Sequence, residues 1–300
     1  MILLKVHGGL GNQFFQYAAA AALAQARGAE FKLEIGPEIR YLPSEYCLDK
    51  FSISASIASK EEVNEYTERD NPPRKIKKFL LEKFNFIVPY VNFLIPYKNR
   101  KVYHEHFFQY NPSFFRLGSD VYLDGYFQSE KYFRHISNMI KKEFSLKGES
   151  SSVFKKFSSV ITENNAISIH FRRGDYITHK GINSIFGVPS LQYYQDAVNR
   201  ITMQVENPIF FIFSNDIPWV KKNFKIPFPI VYVTDSELKF YEEMVLMSLC
   251  KHNIIANSSF SWWGAWLNNN KEKVVIAPKR WFSWWKLNCK DIIPPEWITL

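Results

Sequence analysis

No apolar run in this 300-residue chain is long enough to cross a bilayer. The greasiest region, Phe79 to Tyr97, is broken by Glu82, Lys83, Asn85, Pro89, Asn92 and Pro96, short of the roughly 18–20 apolar residues that a spanning helix needs. Cysteine is scarce: Cys47, Cys250 and Cys289 cannot pair off and match no zinc spacing, which excludes a disulfide framework and fits a reducing compartment. Met1 is followed by neither a basic flank nor a cleavable apolar stretch, so a cytoplasmic chain is expected. No Asp-x-Asp occurs, and its nearest imitation, Asp235-Ser236-Glu237, reads as a turn and helix cap. The glycine-rich segment from Gly8 to Gln13 lacks the Lys-Ser/Thr end of a Walker loop, and its glycines miss the offsets of the dinucleotide fingerprint.

What is present is apolar and aromatic, 46% and 17% of residues, which at this length implies two packed cores. The formal charge is +9, from 38 basic and 29 acidic residues, and it is uneven. Asn71 to Lys101 carries eight Lys/Arg against Glu82 alone. Basic and aromatic residues mixed in this way suit either an anionic bilayer surface or a solvated basic face. No nucleic-acid motif accompanies the charge, so a nucleic-acid partner is not expected.

Ile2–Val6 reads as a strand, Gln13–Arg27 as an alanine-rich helix and Glu30–Ile35 as a second strand. Seven prolines punctuate Gly36 to Phe115, which reads as an insertion-rich part of a first domain. The polar stretch Lys147–Ser152 is the boundary candidate, giving an acceptor-side domain 1–148 and a donor-binding domain 149–300. Beyond it, short apolar strands alternate with helices: strands at Ala166–Phe171, Ile209–Phe213, Ile230–Val233, Asn253–Ala256 and Val274–Ala277, helices at Leu191–Val205, Pro218–Asn223, Glu237–Lys251 and Trp262–Asn269. That alternation implies a parallel sheet wrapped on both faces, where ligands bind beyond the carboxyl ends of the strands.

Four polar segments directly follow expected strands: Gly8–Gln13, Arg172–Tyr176, Ser214–Asp216 and Asn257–Ser261. Two adjacent arginines and an Asn-Ser-Ser turn opening a helix are donors suited to a phosphate-rich ligand. A guanidinium fork matches diphosphate oxygens and keeps its charge, so it can neutralise a departing diphosphate. The plainer alternatives are an arginine pair satisfied by Asp175, an ordinary helix cap at Asn257–Ser259, and a glycine turn that only tightens a strand-to-helix connection.

Together these stretches resemble the bacterial alpha-1,2-fucosyltransferases of glycosyltransferase family 11, and more distantly the protein O-fucosyltransferases and alpha-1,6-fucosyltransferases. The resemblance runs through Gly8-Gly9-Leu10-Gly11-Asn12-Gln13-Phe14-Phe15-Gln16-Tyr17, Leu123-Asp124-Gly125-Tyr126-Phe127-Gln128-Ser129, His170-Phe171-Arg172-Arg173-Gly174-Asp175-Tyr176, Phe213-Ser214-Asn215-Asp216, and Ile255 to Trp266. It implies an α/β fold of GT-B type, two Rossmann-like domains facing a cleft. It further implies inverting, metal-free transfer of fucose from GDP-fucose, as donor substrate rather than cofactor, to the 2-hydroxyl of a galactose-containing glycan.

Residue by residue, the resemblance gives Arg172 the diphosphate, with Arg173 and Gly11 also on the donor and His170 at the ribose or phosphates. Asn257, Ser258, Ser259 and Phe260 form the turn at the beta-phosphate, and Asn12 reaches the reacting centre. Glu243 falls where relatives place an Asp that reads guanine; here the residue is Glu, and a solvated helical Glu is the alternative. Relatives of alpha-1,6 type carry a Glu shortly after the paired arginines, whereas Ile177–Gly181 supplies no carboxylate. Asp175 is therefore the leading candidate for the base, followed by His179 and Asp124, with a base-free dissociative route also open. Trp262, Trp263 and Trp266 stand at helical spacing and read as core, while Trp281, Trp284 and Trp285 read as free to line an acceptor or rest on a bilayer. A carbohydrate-binding module would explain the tryptophans but leave the Arg-Arg-Gly-Asp turn without purpose.

Overall fold

A computed structural model describes residues 1–36, 45–70, 96–105, 108–174, 187–283 and 287–300. The chain divides into two compact units, Met1–Phe144 and Ser145–Leu300.

In the first unit, strands β1 (Ile2–Val6), β2 (Phe31–Ile35), β3 (Ser56–Ile57), β4 (Val102–His104) and β5 (Val121–Asp124) form one sheet in the order β3-β2-β1-β5-β4. Every pairing is parallel. Helix α1 (Leu10–Arg27) follows β1; Ala18–Ala22 keep its surface low, and it is buried from Phe14 to Ala24. It ends at Gly28, whose φ of 57° is left-handed, with the Ala29 amide donating to the Ala24 carbonyl at 3.0 Å. The helix starts at Leu10, earlier than the sequence pattern indicates. Gly9 caps it in an extended conformation, so Gly11 and Asn12 belong to its first turn and not to a free loop. Helices α2 (Lys60–Asp70) and α3 (Ser137–Glu143) complete the described α-helices of this unit, beside short 3-10 turns.

In the second unit, strands β6 (Asn165–Phe171), β7 (Pro208–Ser214), β8 (Ile230–Tyr232), β9 (His252–Ile254), β10 (Val275–Ala277) and β11 (Ile298–Thr299) form an all-parallel sheet. Their order is β11-β10-β9-β6-β7-β8. Read from β8, this is the doubly wound Rossmann order, and the chain reverses direction between β6 and β9. Helices α4 (Ser152–Thr162), α5 (Leu191–Thr202), α6 (Ile217–Asn223), α7 (Phe240–Leu249) and α8 (Ser259–Leu267) cover the sheet.

The period-two alternation of β6 and β7 sends Ile167, Ile169, Phe171, Phe210 and Ile212 into one core with α5 and α6. Ala166, Phe211 and Phe213 enter the other, with α4 and α7. Each fully buried Ile or Phe contributes about 2 kcal/mol. Both faces are thus apolar, which is why these strands read as near-continuous hydrophobic runs. Among the described residues no helix is long and apolar enough to cross a membrane. The three cysteines are free, Cys47 and Cys250 buried.

Candidate active site

In doubly wound sheets the ligand crevice opens beyond the carboxyl ends of the strands, where the strand order reverses. In the second unit that point lies between β6 and β9. The segments leaving it are Arg172–Gly174 and Ile255–Ser258, so strand order alone brings the paired arginines and the Asn-Ser-Ser turn to one edge.

His170, near the end of β6, is 5% exposed, and its Nδ1 has no hydrogen-bond partner among the described residues. Burial, and then the Arg172 charge, lower its pKa to about 3, so the imidazole is neutral at physiological pH. Its ring lies 5.8 Å from that of Phe260, and its carbonyl accepts from the Tyr194 hydroxyl at 3.0 Å. Arg172 is the partly buried residue that follows the strand.

Arg173 is committed within the protein. Its guanidinium lies over the Trp219 ring at 3.3 Å from the centroid and pairs with Asp216 at 3.4 Å. Its amide donates to the Asn215 Oδ1 at 3.0 Å, and a Cβ at Gly174 would collide with the Asn215 side chain. Arg173 is therefore held by the turn after β7, which is remote from it in sequence. Asp175 and His179 lie outside the described residues.

On the β9 side, Ser258 caps α8: its Oγ accepts from the Phe260 amide at 3.3 Å. The N–H groups of the first turn point out of the helix with the positive end of its dipole. Ser259 and Phe260 are half-buried. Asn257 is buried and donates to the Trp281 carbonyl at 3.1 Å and the Gly187 carbonyl at 3.3 Å, tying the turn to two other segments. Trp281 is itself only 2% exposed, so it belongs to the core and not to a free aromatic surface. Trp284 and Trp285 lie outside the described residues. Trp262 and Trp263 are fully buried and Trp266 is 7% exposed, as their helical spacing implies.

Helix α7 links two parallel strands, so it runs against them and begins at the same carboxyl edge. Its first turn carries two glutamates with opposite fates. Glu242 is buried and accepts from the Ser151 amide and hydroxyl, both at 2.8 Å, and from the Lys239 amide at 3.1 Å. It caps α4 and α7 together. Glu243 is half-buried, and among the described residues its carboxylate has no hydrogen-bond or ion-pair partner. Burial pushes its pKa up to about 7. One turn earlier on the same face stands Phe240, 43% exposed. Asp235 holds only a local turn, accepting from the Glu237 amide at 2.9 Å, and the helix start is capped by Glu242 instead.

In the first unit the order reverses between β1 and β5, and the segment leaving β1 is the glycine motif. Gly8 has φ 76°, and a Cβ there would stand 2.7 Å from the Asn12 Nδ2. Two independent constraints thus fix glycine at this position. Asn12 is half-buried and its Oδ1 accepts from the Gln128 Nε2 at 2.8 Å; Gly11 is buried beside it. Gln13 is fully buried and bonds the Gly8 and Glu45 carbonyls and the Cys47 amide. Asp124 ends β5 among Lys5 at 3.4 Å, His104 at 3.4 Å and His7 at 3.5 Å. The adjacent His104 and His7 side chains, with the Lys5 charge, hold its carboxyl well below the usual range. Among the described residues no group of three or more His, Cys, Asp or Glu side chains could hold a metal ion.

A parallel-sheet unit with a helix N-terminus and an arginine at its switch point presents donors of the kind a phosphate-bearing ligand needs. The chain belongs to glycosyl transferase family 11, whose family description matches residues 1–300, and it is a glycosyltransferase. It is 32% identical over 308 residues to an alpha-1,2-colitosyltransferase of Escherichia coli, covering 100% of this chain and 99% of that protein. Over 146 residues it is 39% identical to the O-antigen biosynthesis glycosyltransferase WbnK of Escherichia coli, 48% of each. Over 162 residues it is 27% identical to galactoside alpha-(1,2)-fucosyltransferase 2 of Hylobates lar, 50% of this chain and 46% of that protein. In three dimensions it is similar to a mutant of Arabidopsis thaliana FUT1 in complex with GDP, with TM-score 0.51, 12% identity, and coverage of 91% of this chain and 69% of that one. That likeness supports the GT-B assignment, with two Rossmann-like units.

Proposed function

We propose that this chain transfers L-fucose from GDP-β-L-fucose to the 2-hydroxyl of a galactoside, with inversion at the anomeric carbon and without a metal. The observation that carries the reading is the meeting of Arg172 and the Ser258-capped start of α8 at the switch point of the second unit. There the first-turn amides of α8, with Ser258 and Ser259, bind the beta-phosphate, and the Arg172 fork neutralises the charge that builds on the diphosphate as it departs. His170, neutral and with Nδ1 available, binds a ribose or phosphate oxygen. Glu243, ionised, accepts from guanine N1–H and the exocyclic amine. Arg173 and Asn257 act by holding the two loops in place. Asn12, whose Oδ1 accepts from Gln128, and Gly11 beside it are assigned to the reacting centre and to the donor on the strength of the glycine motif that carries them.

The name of the colitosyltransferase relative favours a second donor reading, since colitose is fucose without its 3-hydroxyl. Thermal unfolding with GDP, other nucleotides and free sugars, followed by turnover of GDP-fucose and GDP-colitose in excess chelator, tests both readings. Stabilisation by GDP with preferred turnover of GDP-fucose is expected. Preference for GDP-colitose moves the donor, and activity that returns only with manganese refutes metal-free transfer.

The acceptor is a galactose-containing surface glycan, which a glycan array with GDP-fucose reads directly. Cytoplasmic residence with peripheral attachment to anionic lipid rests on the charge of Asn71–Lys101, of which 71–95 lie outside the described residues. Flotation with anionic vesicles at low salt and not at high salt is the expected outcome; a protein that never floats refutes it.

A further inference from the structure

Two adjacent tyrosines in the first turn of α5 hold the strand ends from which Arg172 and the Asn-Ser-Ser turn leave the second sheet. Helix α5 connects the parallel strands β6 and β7, so it begins at the carboxyl edge. Ser190 caps it, its Oγ accepting from the Tyr193 amide at 3.2 Å, which places Tyr193 and Tyr194 at that edge. Both are buried. Successive residues of a helix diverge by about 100°, and the two hydroxyls reach different strands. The Tyr194 hydroxyl donates to the His170 carbonyl at 3.0 Å, and its ring lies 3.9 Å from that of Phe171. One side chain therefore grips the last two residues of β6, immediately before Arg172. The Tyr193 hydroxyl divides its proton between the Ile255 carbonyl at 2.7 Å and the Ile276 carbonyl at 3.1 Å. Ile255 follows β9 and stands two residues before Asn257, so this hydroxyl ties β10 to the segment that leads to the Ser258 cap. Burial raises the pKa of both phenols, and each remains a protonated donor.

We infer that Tyr193 and Tyr194 are positioning residues for sugar transfer: together they set the spacing between Arg172 and the Asn257–Ser259 turn across the switch point. The inference rests on the sugar-transfer reading above, which puts the diphosphate between those two segments. The ladder between β6 and β9 ends at the Ile169–Ile254 pair, before either segment begins. Beyond it, Arg173 ties its own segment to the turn after β7, and Asn257 ties the other to Gly187 and Trp281. Neither of those contacts fixes one segment relative to the other. The tyrosine pair does, because its two hydroxyls belong to consecutive residues of one helical turn. Misplacing a reacting group by about 1 Å costs on the order of 100-fold in rate, so losing one hydroxyl from an otherwise intact turn is expected to cost about tenfold.

The test compares Tyr193→Phe and Tyr194→Phe, which remove the hydroxyls and keep the rings, with Ile201→Val, a packing change in the same core two turns further along α5. Transfer from GDP-fucose is measured at steady state beside the melting temperature, and Tyr194→Phe is also made in an Arg172→Ala chain. Each Phe variant is expected to lose about tenfold in kcat/KM, whereas Ile201→Val is expected to melt earlier and to keep kcat/KM within about twofold of wild type. The Tyr194→Phe loss is expected to shrink to less than about twofold once Arg172 is absent, because the hydroxyl acts through that arginine. The two tyrosines act on different strands, so either variant carries the test should the other fail to fold. Phe variants within about twofold of an active wild type overturn the inference and leave the sugar-transfer reading standing, as does a Tyr194→Phe loss that is the same with and without Arg172. An Ile201→Val enzyme that loses as much activity as the Phe variants also overturns it, since general loosening of α5 then explains the effect. A wild-type chain that transfers neither fucose nor colitose refutes the sugar-transfer reading, and this inference with it.

Discussion

Replacing Glu243 by Gln removes one charge from the first turn of α7 and leaves the shape nearly unchanged. Burial raises the Glu243 pKa from 4.5 to about 7, with no compensating partner among the described residues. The folded pKa lies above the unfolded one, so this group's contribution to stability is complete below about 4.5 and is lost as pH rises through about 7. That interval corresponds to about 3 kcal/mol at 1.36 kcal/mol per pH unit, an upper bound for a half-buried group.

If guanine binds the ionised carboxylate, donor binding must release the proton, and affinity rises as the free group ionises. For a pKa near 7 the ionised fraction grows about tenfold between pH 6 and pH 8. GDP-fucose affinity is expected to grow by the same factor. GDP-fucose is the probe of choice, because the terminal phosphate of free GDP titrates in the same range. Isothermal titration calorimetry in buffers of different ionisation enthalpy reads both the affinity and the released proton. Glu243→Gln is expected to bind weakly at every pH, to lose the pH dependence, and to unfold at a higher temperature than wild type at pH 8 in the absence of ligand. Affinity for GDP-fucose that is flat from pH 6 to pH 8, with no proton released, refutes the role assigned to Glu243.

Arg172→Ala is expected to lose roughly 30- to 1000-fold in turnover, about 2–4 kcal/mol of transition-state stabilisation, with Arg172→Lys still impaired because an ammonium cannot reproduce the fork; steady-state kinetics at wild-type level in either variant refute the assignment. Gly8→Ala forces a left-handed residue and a contact with the Asn12 side chain, so chemical denaturation is expected to show a loss of about 1–2 kcal/mol or more, and unchanged stability contradicts the conformation given for the glycine motif. Glu242→Ala removes the acceptor that caps two helices and is expected to cost about 2–4 kcal/mol in unfolding free energy, while the folded fraction keeps its donor affinity; a melting temperature equal to that of wild type refutes the capping role.

The second unit was legible because both faces of its sheet are covered. Runs such as Ala166–Phe171 and Ile209–Phe213 are apolar throughout, and each ends in a polar turn that marks the edge where ligands bind. The first sheet was not legible beyond β1 and β2, because β3, β4 and β5 have only two to four residues each and sit among prolines. Helix α4 also escaped notice, although Val153, Phe154, Phe157 and Ile161 follow helical spacing and the Ser151 Oγ accepts from the Phe154 amide at 3.0 Å. At the site, the motifs indicated which residues gather at the switch point. They did not show that Arg173 is held by Asp216 and Trp219, since those partners arrive through strand order from more than forty positions away. The difference between Glu242 and Glu243 is likewise a matter of tertiary packing: adjacent in sequence, they project to different faces of one helical turn.

The most direct test is to incubate the full chain with GDP-fucose and a terminal galactoside in excess chelator, and to determine the product linkage by nuclear magnetic resonance. A single α-linked fucose on the galactose 2-hydroxyl, formed faster than colitose is transferred from GDP-colitose, is the expected result. Failure to transfer fucose to any galactoside, or attachment at another hydroxyl, contradicts the function proposed for this chain.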